Sequence, residues 1–220
     1  MGHDVSLVAA DGHALSARVA VPEGERIGGL VVIQEIFGLN AHIRAVCDQF
    51  AEAGFLTVAP AVFDRLGEDI TVNYTDIDRA RQLIGRLDPK RTMLDFAAAV
   101  EHAMTAGRVG VVGFCWGGAQ AYRCAAELPI AAAVSYYGGG IDKLADLAPA
   151  CPLMLHYGAE DPYIPQEQVD AVRRANPEAI VHLYEGAGHG FNCDQRDDYD
   201  AEAACLAFGR TTDFLKQHLR

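Results

Sequence analysis

Several things are scarce in this sequence, and each scarcity removes a class of function. There is no run of 18 apolar residues, so no membrane-spanning helix is expected. Positive charge is short: 18 Lys and Arg stand against 30 Asp and Glu, a formal net charge of −12. That field repels nucleic acid and anionic membranes, so neither is expected as a partner. It would also repel a small anionic substrate unless a local arginine or lysine stood in the pocket. The six cysteines, at 47, 115, 124, 151, 193 and 205, are scattered and form no CxxC pair. The opening residues Met1-Gly2-His3-Asp4-Val5 show no basic stretch followed by an apolar one, so no signal peptide is expected. The expectation is therefore a cytoplasmic protein with reduced thiols and no disulfides. Repeats, low-complexity tracts and linkers are missing too, and residues 1–220 read as a single domain.

What is present is ordinary for a globular chain, with half of the residues hydrophobic and 22% charged. A chain of this length buries roughly 70% of its unfolded surface and needs no staples. Strand and helix patterns alternate along it. Residues 4–10 and 14–21 flank Asp11-Gly12 as a hairpin. Residues 29–34 and 55–59 are continuous apolar runs, the mark of central strands buried on both faces. Between them Asn40 caps a helix that ends near Gly54. Residues 61–75 read as a loop, followed by helices at about 76–86 and 91–105. Then come a strand at 108–112, a helix at 116–127, strands at 130–136 and 153–157, a helix at 166–175 and a strand at 180–184. A last helix covers about 197–218. This alternation predicts an α/β fold, a mostly parallel central sheet with helices on both faces.

Such sheets bind ligands beyond the carboxyl ends of their strands. That rule picks out five loops: Glu35-Ile36-Phe37-Gly38, the turn at Cys115, Tyr137-Gly138-Gly139-Gly140, Gly158-Ala159-Glu160-Asp161, and Glu185 through Phe191. Val111-Val112-Gly113-Phe114-Cys115-Trp116-Gly117-Gly118 is a strand that enters a G-x-C-x-G turn and leaves as a helix. Such a turn exposes its central side chain, and the flanking glycines make room for the backbone. The order Cys115, Asp161, His189 is nucleophile, acid, base. Cysteine attacks a carbonyl as thiolate. Histidine titrates near neutrality and can move the proton both ways. Aspartate fixes the imidazole tautomer and supports the imidazolium. A helix start at Cys115 adds amides and a dipole that favour the thiolate. The Trp116 amide and one from the loop after strand 29–34, that of Ile36, would form an oxyanion hole. Each such donor is typically worth about 10²–10³ in rate.

Each piece alone has a plainer reading. A single G-x-C-x-G turn can bury an idle thiol, Asp161-Pro162 can be a turn former, and Glu35 can be a loop charge. His189 is one of eight histidines, yet only it sits in a glycine-flanked loop after an apolar strand. Three such residues in order, each after a strand, are harder to attribute to chance.

The sequence resembles the dienelactone hydrolase (carboxymethylenebutenolidase) family of α/β-hydrolases nearly end to end. The likeness is carried by Gln34-Glu35-Ile36-Phe37-Gly38-Leu39-Asn40, the elbow at Gly113–Gly118, Tyr136-Tyr137-Gly138, Gly158–Asp161 and Gly188-His189-Gly190-Phe191. It implies hydrolysis of an activated ester or lactone, dienelactone to maleylacetate in type, with no cofactor and no metal. It implies that Glu35 sits by the nucleophile and takes part in activating it when substrate binds. Nearby negative charge would hold the thiol protonated until then. Tyr137 corresponds to a pocket tyrosine, although a core tyrosine reads almost as well. In the family two arginines grip the substrate carboxylate. At one of those positions this chain has Cys193, with Arg196 nearby, and near the other it offers Arg79, Arg81 and Arg86, of which Arg81 is the nearest match. A carboxylesterase or thioesterase for neutral substrates is therefore an alternative, and a non-catalytic redox-sensing or binding relative is another. His189 and Cys193, four apart in a loop, lack the further spacing of a metal site. The expected partner is a small ester or lactone, and the expected state a monomer or small homo-oligomer.

Overall fold

Proline and aspartate placements decide where the helices Ile77–Arg86, Pro89–Ala103, Gln166–Ala175 and Ala201–Leu219 begin. The computed structural model describes residues 2–144 and 146–220; Met1 and Ala145, which the single-domain reading spans, lie outside the described residues. Two compact units are distinguished by their internal contacts, residues 1–110 with 219–220, and residues 111–218.

The first unit contains β1 (His3–Val8), β2 (Ala14–Ala20), β3 (Gly28–Ile33), α1 (Ala41–Glu52), β4 (Phe55–Pro60), α2 (Ile77–Arg86) and α3 (Pro89–Ala103). Its strands lie in the order β1-β2-β4-β3. β1 pairs antiparallel with β2, and β2 antiparallel with β4. β3 and β4 pair in parallel, with Gly28 opposite Phe55 and Val31 opposite Val58. Every residue of β3 and β4 is buried, as their apolar runs require. Asn40 caps α1 by accepting from the Ile43 amide at 3.1 Å. Its amide nitrogen donates to the Tyr74 hydroxyl at 2.9 Å. The Phe37 carbonyl accepts from the Val72 amide at 3.0 Å, and Phe37 meets Tyr74 edge to face at 4.6 Å. Residues 70–74 thus brace the loop that follows β3.

The expected loop 61–75 contains a 3-10 turn, Val62–Arg65. Its cause is tertiary. The Arg65 guanidinium donates twice to the buried Asp95 carboxylate, both bonds at 2.7 Å, and also to Asp11 of the hairpin turn. A bidentate pair of this kind fixes geometry as well as charge. α3 starts at Pro89, earlier than its apolar pattern suggests. Asp88 accepts from the Lys90 and Arg91 amides, and Pro89 fills the first turn, where no N–H is needed.

The second unit contains most of β5 (Val109–Phe114), then α4 (Trp116–Glu127), β6 (Ala132–Tyr136), β7 (Leu153–Gly158), α5 (Gln166–Ala175), β8 (Ile180–Tyr184) and most of α6 (Ala201–Leu219). Its strands follow the order β5-β6-β7-β8, and the β6–β7 and β7–β8 pairings are parallel. α6 begins at Ala201 rather than near 197. The Asp200 carboxylate takes the amides of Glu202 and Ala203, both at 3.0 Å, and ends the preceding loop. Four side chains tie the floor of this unit together. His156 Nδ1 meets the Tyr184 hydroxyl at 2.8 Å, and its Nε2 meets Thr211 Oγ1 at 3.0 Å. Thr211 in turn meets the Tyr136 hydroxyl at 2.7 Å. Burial pushes His156 well below the usual histidine range, so it stays neutral within this network. No helix among the described residues is long and apolar enough to cross a membrane.

Candidate active site

Strand β5 runs fully buried to Phe114 and then turns sharply. At the turn Cys115 adopts φ 54° and ψ −118°, a region that side chains disfavour. Two glycines make this possible. A Cβ at Gly113 would collide with the Gly117 carbonyl oxygen, and one at Gly118 would come 2.6 Å from Ser135 Oγ. The Cys115 amide donates to the Tyr136 carbonyl at 3.0 Å, tying the turn to β6. α4 starts at once, so Trp116 contributes one of the leading helix amides. Cys115 and Trp116 are both half-buried.

Asp161 follows β7, and its carboxylate is divided between two tasks. Oδ1 accepts from the amides of Tyr163 at 2.8 Å and Ile164 at 3.2 Å. Oδ2 meets His189 Nδ1 at 2.7 Å. A carboxylate can only accept, so Nδ1 carries the hydrogen. The other imidazole nitrogen, Nε2, lies 3.1 Å from Cys115 Sγ. The three side chains named from sequence are therefore brought into one hydrogen-bonded line. Burial works against a charged imidazole here. The hydrogen bonds to Asp161 and to Cys115 outweigh it and raise His189 from 6.5 to about 10.

The histidine loop is held close to the end of β7. A Cβ at Gly158 would strike the Ala187 carbonyl and come 2.7 Å from that of Gly188. The Glu160 amide donates to the Ala187 carbonyl at 3.0 Å. Two tyrosine rings flank the imidazole. Tyr137 is fully buried at φ 39°, with its centroid 5.2 Å from that of His189. Tyr163 is 54% exposed, and its ring stands almost perpendicular to the imidazole at 5.1 Å. Tyr163 was not singled out by the sequence reading. The signal available for it is its position two residues after Asp161, where the turn that accepts its amide returns the ring toward the histidine.

Glu35, Ile36 and Arg81 belong to the first unit, and Cys193 to the second. Glu35 and Ile36 follow β3, and Glu35 is fully buried with its carbonyl accepting from the Gln34 side chain at 3.2 Å. Arg81 lies exposed on α2. Cys193, standing where the resemblance calls for an arginine, is fully buried. A cavity of about 1150 Å3 lies between the β2–β3 connection and the end of α1. None of the candidate catalytic residues lines it, and it sits at the amino end of β3, the wrong end for this class of sheet.

A protein-family model described as the dienelactone hydrolase family matches residues 15–219. The carboxymethylenebutenolidase of Pseudomonas putida is 33% identical over 223 residues, which cover 96% of this chain and 94% of that protein. A candidate carboxymethylenebutenolidase of Azospirillum brasilense is 36% identical over 230 residues, covering 98% of this chain and 99% of its own. Among solved structures, a candidate dienelactone hydrolase from Klebsiella pneumoniae superposes with a TM-score of 0.86 at 28% identity, covering 98% of this chain and 99% of that one. An esterase from Pyrococcus furiosus, 18% identical with a TM-score of 0.71, shares the fold alone; it covers 100% of this chain and 94% of its own. The fold is that of the α/β-hydrolases, mostly parallel with helices on both faces.

Proposed function

This chain belongs to the dienelactone hydrolase family of ester and lactone hydrolases, and on that premise we propose that it works through a thioester on Cys115. The observation that carries the reading is the line from Cys115 Sγ to His189 Nε2 at 3.1 Å and from His189 Nδ1 to Asp161 at 2.7 Å. Once the Cys115 proton has passed to His189, the sulfur attacks the ester carbonyl as a thiolate. The developing oxyanion would take hydrogen bonds from the amides of Trp116 and Ile36. His189 would then give its proton to the departing alcohol or enol. In the second half, His189 takes a proton from water as the water attacks the thioester, and the acid leaves with the thiolate restored. Glu35 is assigned the restraint of the nucleophile before substrate arrives, the role that family membership suggests. Tyr137 and Arg81 are carried as substrate contacts. No metal or organic cofactor enters this scheme. The thiolate, imidazolium and amides together supply the nucleophile, proton transfer and oxyanion stabilisation.

Two measurements test it. Rapid quenching during turnover of a slow ester, followed by peptide mass spectrometry, is expected to find the acyl group on Cys115. An acyl group on any other residue, or none at all under burst conditions, sinks the thioester. The pH profile follows from His189. Its raised value, from 6.5 to about 10, means the imidazolium persists through the neutral range. kcat/KM is expected to hold up to about pH 9 and to fall as pH passes about 10, where the proton needed by the leaving group is lost. Stability linked to this proton has the same sign, being complete below 6.5 and lost as pH climbs through about 10. An alkaline fall near pH 7 would contradict the assignment.

A second reading, a carboxylesterase or thioesterase for neutral substrates, is favoured by one observation. Where the family places an arginine for the substrate carboxylate, this chain buries Cys193 completely.

A further inference from the structure

His189 stands between Gly188 and Gly190, and Gly190 adopts φ 85°. Glycine on both sides makes this arch intrinsically loose. Yet the imidazole must hold distances of 2.7 Å and 3.1 Å at once. The β7 side of the arch is secured by Gly158 and the Glu160 amide, as described. Something must secure the other side.

The chain past the histidine turns back over it. The Cys193 amide donates to the Gly190 carbonyl at 2.8 Å, and the Arg196 amide to the Cys193 carbonyl at 3.1 Å. This carries the Arg196 side chain onto the arch. Its Nη1 and Cζ lie 2.7 Å and 2.9 Å from where a Cβ of Gly190 would be, so the guanidinium occupies the space a side chain there would need. Nη2 donates to Asp198 Oδ2 at 3.2 Å, while Asp198 Oδ1 lies 3.8 Å from the corresponding point over Gly188. Both glycines of the arch are thus covered by the two members of one ion pair. Arg196 is only 14% exposed, although its neighbours Asp194, Gln195, Asp197 and Asp198 are all exposed. An arginine that merely solvated an acidic loop would point outward with them.

We propose that Arg196, anchored by Asp198, is a positioning residue that clamps the Gly188–Gly190 arch and so fixes the His189 imidazole. The planar guanidinium suits this task, since it can lie flat on a Cα while its edge stays bonded to the carboxylate. The proposal rests on the Cys115–His189 reading above.

The test uses the full chain with Arg196→Gln and Asp198→Asn. Activity is measured on a neutral p-nitrophenyl ester and on an isosteric ester bearing a carboxylate. Alkylation of Cys115 by iodoacetamide, which needs no turnover, is followed separately. Arg196→Gln is expected to lower kcat about tenfold on both esters alike, with KM within about twofold, as loosened catalytic geometry does. Alkylation at neutral pH should slow severalfold, and the alkaline fall in activity should move to lower pH. Asp198→Asn should act in the same direction more weakly, and it carries the test alone if Arg196→Gln does not fold. An unchanged kcat with an unchanged pH profile overturns the proposal. So does a loss confined to KM on the anionic ester, which would make Arg196 a substrate contact. So does a fall in kcat matched by a fall in folded protein. If the wild-type chain hydrolyses no ester while Arg196→Gln still slows alkylation, the clamp survives and the thioester reading fails.

Discussion

Cys115→Ala is expected to reduce ester hydrolysis by about 10⁴-fold or more, leaving only what binding and the oxyanion amides supply. The covalent route needs the sulfur, and no other nucleophile is hydrogen-bonded to His189 Nε2 among the described residues. The variant is well suited to the question. Alanine keeps a Cβ, so the backbone at φ 54° is no more strained than before, and neither glycine of the elbow is disturbed. The thermal midpoint should fall only by the share of the His189-linked stability that the Cys115 contact supplies, and circular dichroism would confirm that the fold is intact. Steady-state rates with a p-nitrophenyl ester make the measurement. Retention of wild-type activity would remove Cys115 from the mechanism altogether.

Asp161→Asn is the second large effect, and its size comes from hydrogen-bond arithmetic. The carboxylate accepts from three donors: two backbone amides at Oδ1 and His189 Nδ1–H at Oδ2. An asparagine has one acceptor oxygen and one donor nitrogen. If the oxygen stays with the two amides, the NH2 group must face His189 Nδ1. The imidazole can meet it only by moving its hydrogen to Nε2, where it points at Cys115 and cannot accept the thiol proton. kcat is expected to fall on the order of 10⁴-fold, as for other triads forced into the wrong tautomer. The value near 10 at His189 should drop as well, since the bond to Asp161 is among the interactions that raise it. Titration of the histidine by NMR in both proteins would read this directly. A variant within about twofold of wild type would mean that Asp161 does not control the tautomer.

The elements legible in the sequence are those set by local rules. α4 and α5 occupy the spans their patterns suggest, and β8 does too, because a sharp turn or a proline marks each edge. The meeting of Cys115, Asp161 and His189 follows from strands that run parallel and end together. What escaped the sequence lies in side chains acting at a distance. The 3-10 turn at Val62–Arg65 depends on Asp95, thirty positions away. α6 starts where Asp200 caps it, after a run of acids in which no single one stands out. Arg196 was visible only as the nearest arginine to the histidine, and its place over Gly190 depends on how residues 190–196 turn. Tyr163 escapes the sequence because its place beside His189 depends on the turn in which Asp161 accepts its amide.

Trp116 is the only tryptophan in the chain, and it directly follows Cys115 at the head of α4. All indole emission from this protein therefore originates one residue from the sulfur. When an acyl group arrives on Cys115, or the charge on that sulfur changes, the signal comes from one place with no background to subtract. The chain carries its own optical probe of the chemical step. Stopped-flow fluorescence on unlabelled protein can follow the nucleophile in real time, even with substrates that give no coloured product.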